Sequence, residues 1–92
     1  MSAPKSPDGH FTVLYFAAAA SLTGKSFDHI SAPMKVSALF DSLSSIYPGI
    51  KEKVLHSCAL TVNLDYVDAE ADADIVIKEG DEVAIIPPVS SG

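Results

Sequence analysis

Phe11-Thr12-Val13-Leu14-Tyr15-Phe16 is the stretch on which the fold turns. It is dense in β-branched and aromatic residues, which fit a pleated surface and strain a helix. Phe11, Val13 and Tyr15 alternate against Thr12, Leu14 and Phe16, so neither face is strongly polar. A strand apolar on both faces belongs inside a sheet. Its counterpart closes the chain: Glu82-Val83-Ala84-Ile85-Ile86 reads as the last strand, and Pro87-Pro88 ends it because proline has no N–H for the ladder. These two strands are the expected central pair, lying parallel and joined by a crossover.

Between them the punctuation is regular. Ala17 to Leu22 reads as a short helix on alanine propensity, stopped by Gly24. Ser26 to Ser31 reads as a second strand, near enough to pair antiparallel with the first. Val36, Leu39, Phe40, Leu43, Ile46 and Tyr47 form one apolar stripe of a main helix, with Pro33 suiting its first turn and Pro48-Gly49 its end. Cys58 to Asn63 reads as a strand, Tyr66-Val67 as a short extended piece, and Ile75 to Lys78 as one more strand before a turn at Glu79-Gly80-Asp81. Asp65 to Asp74 holds five acids and no base, the composition of a solvated loop. The expected fold is α+β, one mixed sheet with one main helix across a face: the β-grasp, or ubiquitin-like, architecture. Residues 1–10 read as a flexible leader, 11–88 as the domain and 89–92 as an extended tail.

Composition excludes several functions. The chain has 92 residues and a formal charge of −6, the wrong sign for nucleic acid or an anionic membrane surface, and partners of positive charge are expected. The longest wholly apolar run, Val13 to Ala20, is too short to span a bilayer. Pro4, Pro7, Asp8 and Gly9 make a poor secretory leader, and a lone Cys58 allows no internal disulfide, so a cytoplasmic location is expected.

Three reactive-looking motifs lead nowhere. Thr23-Gly24-Lys25-Ser26 resembles the end of a phosphate loop, but Ala19 stands where the earlier glycine must be. His10, His29 and His56 lack the close ligand pairs of a zinc site, so no metal is expected. His56 and Cys58, two apart, would share a face if both lay on one strand, yet nothing supplies an orienting carboxylate or an oxyanion hole. Cys58 reads as a small core residue.

The C-terminus carries the informative pattern. A strand runs into two prolines, which hold the exit extended, and then Val89-Ser90-Ser91-Gly92, thin enough for a narrow channel. Gly92 leaves a carboxylate with no Cβ beside it, open to close approach. Gly80-Asp81-Glu82-Val83-Ala84-Ile85-Ile86-Pro87-Pro88-Val89-Ser90-Ser91-Gly92 resembles the ending of the small subunits of molybdopterin synthase, β-grasp sulfur carriers that close in G-D-E-V/I-A-x-x-P-P-V/I-S/A-G-G. Val13-Leu14-Tyr15-Phe16-Ala17, Leu22-Thr23-Gly24, Tyr47-Pro48-Gly49 and Val62-Asn63-x-x-Tyr66-Val67 resemble further family segments in the same order.

The resemblance implies a mechanism. Gly92 would be adenylated by a ubiquitin-activating-like adenylyltransferase using ATP and Mg²⁺, then converted by a sulfurtransferase to a thiocarboxylate. Pro87, Pro88, Val89, Ser90 and Ser91 would thread it into the large subunit, which supplies the acid–base chemistry. Sulfur would pass there to cyclic pyranopterin monophosphate. No cofactor would be permanently bound to this chain, and Ile86 would lead an apolar docking patch. Related possibilities on the same fold are a carrier for thiamine synthesis or tRNA thiolation, a ubiquitin-like modifier, or an interaction module with an inert tail. Ser91 replaces the usual penultimate glycine, and serine resists positive φ. Transfer would be slower if the channel demands that geometry.

Overall fold

The computed structural model describes residues 5–68 and 70–87. Eleven short elements follow one another: β1 (His10–Tyr15), α1 (Ala18–Thr23), β2 (Phe27–Ser31), β3 (Met34–Lys35), α2 (Val36–Ile46), α3 (Ile50–Lys53), a 3₁₀ turn (Leu55–Ser57), β4 (Ala59–Val62), β5 (Asp65–Val67), β6 (Val76–Ile77) and β7 (Glu82–Ile86). The main sheet runs β2-β1-β7-β4-β5. β1 and β7 lie side by side and parallel, with Val13 opposite Val83 and Tyr15 opposite Ile85. β2 joins β1 antiparallel, and β4 joins β7 antiparallel. The expected β-grasp with a central first–last pair is the architecture found.

The core lies between this sheet and α2. Phe11 and Val13 of β1, Val83 and Ile85 of β7, and Leu39 and Leu43 of α2 are wholly buried. Burying such side chains stabilises by about 1.5–3 kcal/mol each, which outweighs the weak propensity of strands only a few residues long.

Local chemistry displaces several sequence boundaries. β1 starts at His10 and ends at Tyr15, so Phe16 leaves the strand. Gly9, expected in the leader, is tied to the domain: its N–H donates to Glu79 Oε2 at 2.6 Å, and its carbonyl accepts from Ala32. Pro33 is not in the first turn of α2. Met34 and Lys35 come between them as β3, paired with β6 in a separate two-stranded sheet that the sequence reading merged into one. Ile46 does not complete the buried stripe; it is 52% exposed. The chain turns at Gly49 (φ 92°) into α3, and Ile50 fills the core below the end of α2. α3 and the 3₁₀ turn escaped the periodicity because each is only one turn long. The acidic stretch is not all loop either, since Asp65–Val67 forms the edge strand β5.

β4 and β5 are joined by Asn63 and Leu64, both at positive φ (51° and 74°). That is the geometry of a two-residue hairpin turn whose second position favours glycine. Leu64 is 88% exposed and gains little packing in return. Leu64→Gly is therefore expected to stabilise the protein by roughly 1 kcal/mol by relieving the αL penalty, read as a higher urea midpoint. Leu43→Ala in the same assay should cost about 2–5 kcal/mol, since it empties a fully buried site.

Candidate functional site

The site forms where β7 ends. Because β1 and β7 are parallel, their C-terminal ends lie at the same edge of the domain, and the ladder continues one step past Tyr15: the Phe16 N–H donates to the Ile85 carbonyl at 3.3 Å. On the other side Ile86 faces Ala59 of β4. The last described residue, Pro87, is buried, so the chain leaves from a clamped base. Pro88, Val89, Ser90, Ser91 and Gly92, the residues expected to enter a partner and carry the chemistry, lie outside the described residues.

Side-chain alternation decides what surrounds the exit. Phe11, Val13 and Tyr15 face the core, so Leu14 and Phe16 face the opposite, helix-free side, together with Ala84 and Ile86. Phe16 is 47% exposed and Ile86 half-buried. The sequence reading selected Ile86 and missed Phe16, although the period-2 pattern with Tyr15 inward already put both on one face. Ala17, at φ 50° and ψ −123°, turns the chain out of the strand directly after Phe16.

Behind the exit, four side chains knot β1, β2 and the end of α2 together. The Tyr15 hydroxyl donates to Asp28 Oδ2 at 2.9 Å, and the Tyr47 hydroxyl donates to the same oxygen. Lys25 Nζ bonds Asp28 Oδ1 at 3.1 Å and lies 5.9 Å from the centre of the Tyr47 ring. The two tyrosine rings meet edge-on at 6.0 Å. Burial above all, then the Asp28 carboxylate, pushes the Tyr15 hydroxyl far above the usual tyrosine range. Burial also works against an ionised Asp28, yet the Tyr47 and Tyr15 hydroxyls and the Lys25 ammonium outweigh it and hold the carboxyl below 3.8.

Among the described residues, the one thiol is not set up as a nucleophile. The Cys58 thiol donates to the Leu55 carbonyl at 3.3 Å, and burial pushes its pKa up, the reverse of what a nucleophile needs. The His56 side chain lies outside the described residues. Gly24 is the left-handed cap of α1, and the Thr23 hydroxyl donates back to Ala19, so Thr23-Gly24-Lys25-Ser26 is a helix-ending turn. Among the described residues, no three His, Cys, Asp or Glu side chains are placed to hold a metal. No helix among them is long and apolar enough to cross a membrane.

The structure is thus a β-grasp domain with a central final strand and an apolar rim where that strand ends. Comparison with known proteins bears on which kind. The ThiS family model matches residues 13–92, and the chain belongs to that family. It is 59% identical to the molybdopterin synthase sulfur carrier subunit of Phaeosphaeria nodorum over 100% of both chains. It is 37% identical to the human protein of the same name, over 87% of this chain and 91% of that one. The small archaeal modifier protein 1 of Methanosarcina acetivorans superposes with a TM-score of 0.75 at 23% identity, covering 95% of this chain and 100% of that chain, a likeness of fold.

The Asp28 knot sets limits on stability in both directions of pH. A carboxyl depressed by folding contributes stability that is present above its unfolded pKa, 3.8, and is lost as pH falls through the lower folded value. A tyrosine raised by folding contributes below its unfolded pKa, 10.0, and loses that contribution as pH climbs beyond it. Urea unfolding across pH should show a plateau that falls away on both sides of this window. In Asp28→Asn the acid limb should be shallower. Tyr15→Phe should cost roughly 1 kcal/mol at neutral pH and flatten the alkaline limb.

Proposed function

We propose that this chain is the sulfur carrier of molybdopterin synthase in molybdenum cofactor biosynthesis, with the carboxyl group of Gly92 as the carrying atom set. The observation that supports this most strongly is the full-length 59% identity to a molybdopterin synthase sulfur carrier subunit, on a domain whose clamped final strand leads into Pro-Pro and a slender glycine end.

A carboxylate of pKa about 3.5 is fully ionised at neutral pH and resists attack by sulfur nucleophiles. The activating partner, an adenylyltransferase, overcomes this: a Gly92 carboxylate oxygen attacks the α-phosphorus of ATP, and pyrophosphate leaves. A persulfide sulfur then displaces AMP at the carbonyl carbon to give an acyl disulfide, and a thiolate attacks the outer sulfur of that S–S bond, leaving the thiocarboxylate on Gly92 and a new disulfide on the sulfur donor. The protein delivers this group to the large subunit, which binds cyclic pyranopterin monophosphate and receives the sulfur. Magnesium and ATP belong to the activating enzyme.

This chain contributes position and recognition. Pro87 and Pro88 stiffen the exit, so less conformational entropy is lost when the tail is threaded. Phe16 and Ile86 flank the exit as an apolar patch, and the charge of −6 complements a partner whose pocket must attract phosphate.

Incubation with ATP, the activating enzyme and a sulfur donor should raise the intact mass by the difference between sulfur and oxygen, and a Gly92-deleted chain should show no change. Absence of the shift, with an enzyme proven on another carrier, would leave only a binding module. Ser91→Gly should speed sulfur transfer if the channel holds that residue at positive φ. Ile86→Asp and Phe16→Asp should each weaken the complex with the large subunit by about tenfold or more, the scale of a lost apolar anchor, while the urea midpoint stays close to wild type. An unchanged affinity in both variants would sink the docking patch.

A further inference from the structure

The side of the sheet away from the Phe16–Ile86 patch carries a second surface that the carrier reading does not use. Between α2 and the β4–β5 hairpin lies an open groove of about 680 Å³. Its floor is apolar, from Phe40 of α2, Leu55, Leu60 and Val67. Its rim is acidic, with Asp41, Asp68 and Glu70. Lys51, the one basic residue of the rim among the described residues, is paired with Asp41 at 2.9 Å. One long wall is β5, the edge strand of the main sheet.

We infer that this groove is a docking site for an extended segment of a basic partner, laid antiparallel or parallel along β5 with an apolar side chain in the groove and lysines or arginines over the rim. The hairpin register carries the first part. In a two-residue hairpin the closing pair, Val62 and Asp65, exchanges both backbone bonds, so the next pair, Thr61 and Tyr66, does not. The Tyr66 N–H and C=O therefore point outward, ready for a strand added from outside. Asp68, just beyond, has its N–H taken by Asp72 Oδ2 at 2.9 Å, which ends the free edge and keeps the docked segment short.

Charge carries the choice of occupant. Asp65 to Asp74 places five acids and no base beside this edge. A second copy of the chain, paired β5 to β5, would set these acids against each other, so self-association is disfavoured. A helix in the groove would leave the Tyr66 backbone groups unpaired. An extended cationic segment with an apolar residue satisfies the groove, the edge and the charge together. Ala59, one of the lining residues, is the register neighbour of Ile86, so a protein seated here lies beside the end of β7. The inference does not depend on what Gly92 carries.

The test uses the full ¹⁵N-labelled chain and three synthetic peptides: Lys-Val-Lys-Leu-Lys-Val-Lys, the same with every Lys replaced by Glu, and the same with Val and Leu replaced by Gly and Ser. The first should give saturable amide shifts centred on Tyr66, Val67, Glu70 and Phe40, weakened severalfold by raising salt from about 50 to about 500 mM. The acidic peptide should give none, and the Gly/Ser peptide should bind at least about threefold more weakly, as expected when only rim charges remain. Ser37→Trp, at an exposed groove position, should block the apolar contact, and Glu70→Lys should weaken binding without changing the urea midpoint. Equal binding of the Gly/Ser peptide, shifts centred on the other sheet edge at β2, or no shifts at millimolar peptide would each overturn the inference.

Discussion

The parallel pairing of β1 with β7 is the constraint on which everything else rests. It brings residues from opposite ends of the chain into one ladder and fixes the direction in which the C-terminus leaves. An antiparallel pairing would send the tail out beside Gly9 and Glu79, far from Phe16. Instead the last ladder bond, from Phe16 N–H to Ile85 carbonyl, lies at the exit itself. β4 holds the other side of β7, so the base of the tail is gripped from both directions.

Among the described residues, reactive side chains near the exit are few. The groups nearest to it are either apolar or already committed. Asp28 is saturated by two tyrosine hydroxyls and a lysine, and Cys58 is held protonated by burial. If the terminus is activated as proposed, neighbours that are poor nucleophiles suit it, because self-acylation would waste the activation. Lys25, the amine of the knot, is ion-paired with Asp28 at 3.1 Å, and that hydrogen bond raises its pKa above the usual lysine value.

The two faces of the sheet divide the work. The helix-free face presents Phe16 and Ile86 around the exit, where the proposed large subunit would close over apolar surface. The helix-bearing face buries the core and, at the β5 edge, leaves a groove with an acidic rim. The Asp68 turn, with its carboxylate accepting the Glu70 and Ala71 N–H groups, fixes that rim in place and draws the carboxyl below its usual range. Negative charge on such a carrier is thus localised as well as abundant, which gives orientation to an approaching basic protein.

Much of this was legible in the residues alone. The apolar alternation of 11–16 and 82–86, the helical stripe from Val36 to Leu43, the glycine after α1 and the tail pattern are local signals, and local sterics and periodicity suffice to read them. The family resemblance of the ending pointed to sulfur chemistry for the same reason: its motif is contiguous. What the sequence could not show are features made by residues distant along the chain. Met34-Lys35 is a strand only because Val76-Ile77 reaches it, and Ile50 replaces Ile46 in the core because a turn at Gly49 redirects the chain. Asp28 meets Tyr15 and Tyr47 across three elements, and the groove exists only once α2 lies over the β4–β5 edge. Local propensity sets which elements form and where they stop; burial of apolar surface across long loops decides which of them touch, and that is written in three dimensions.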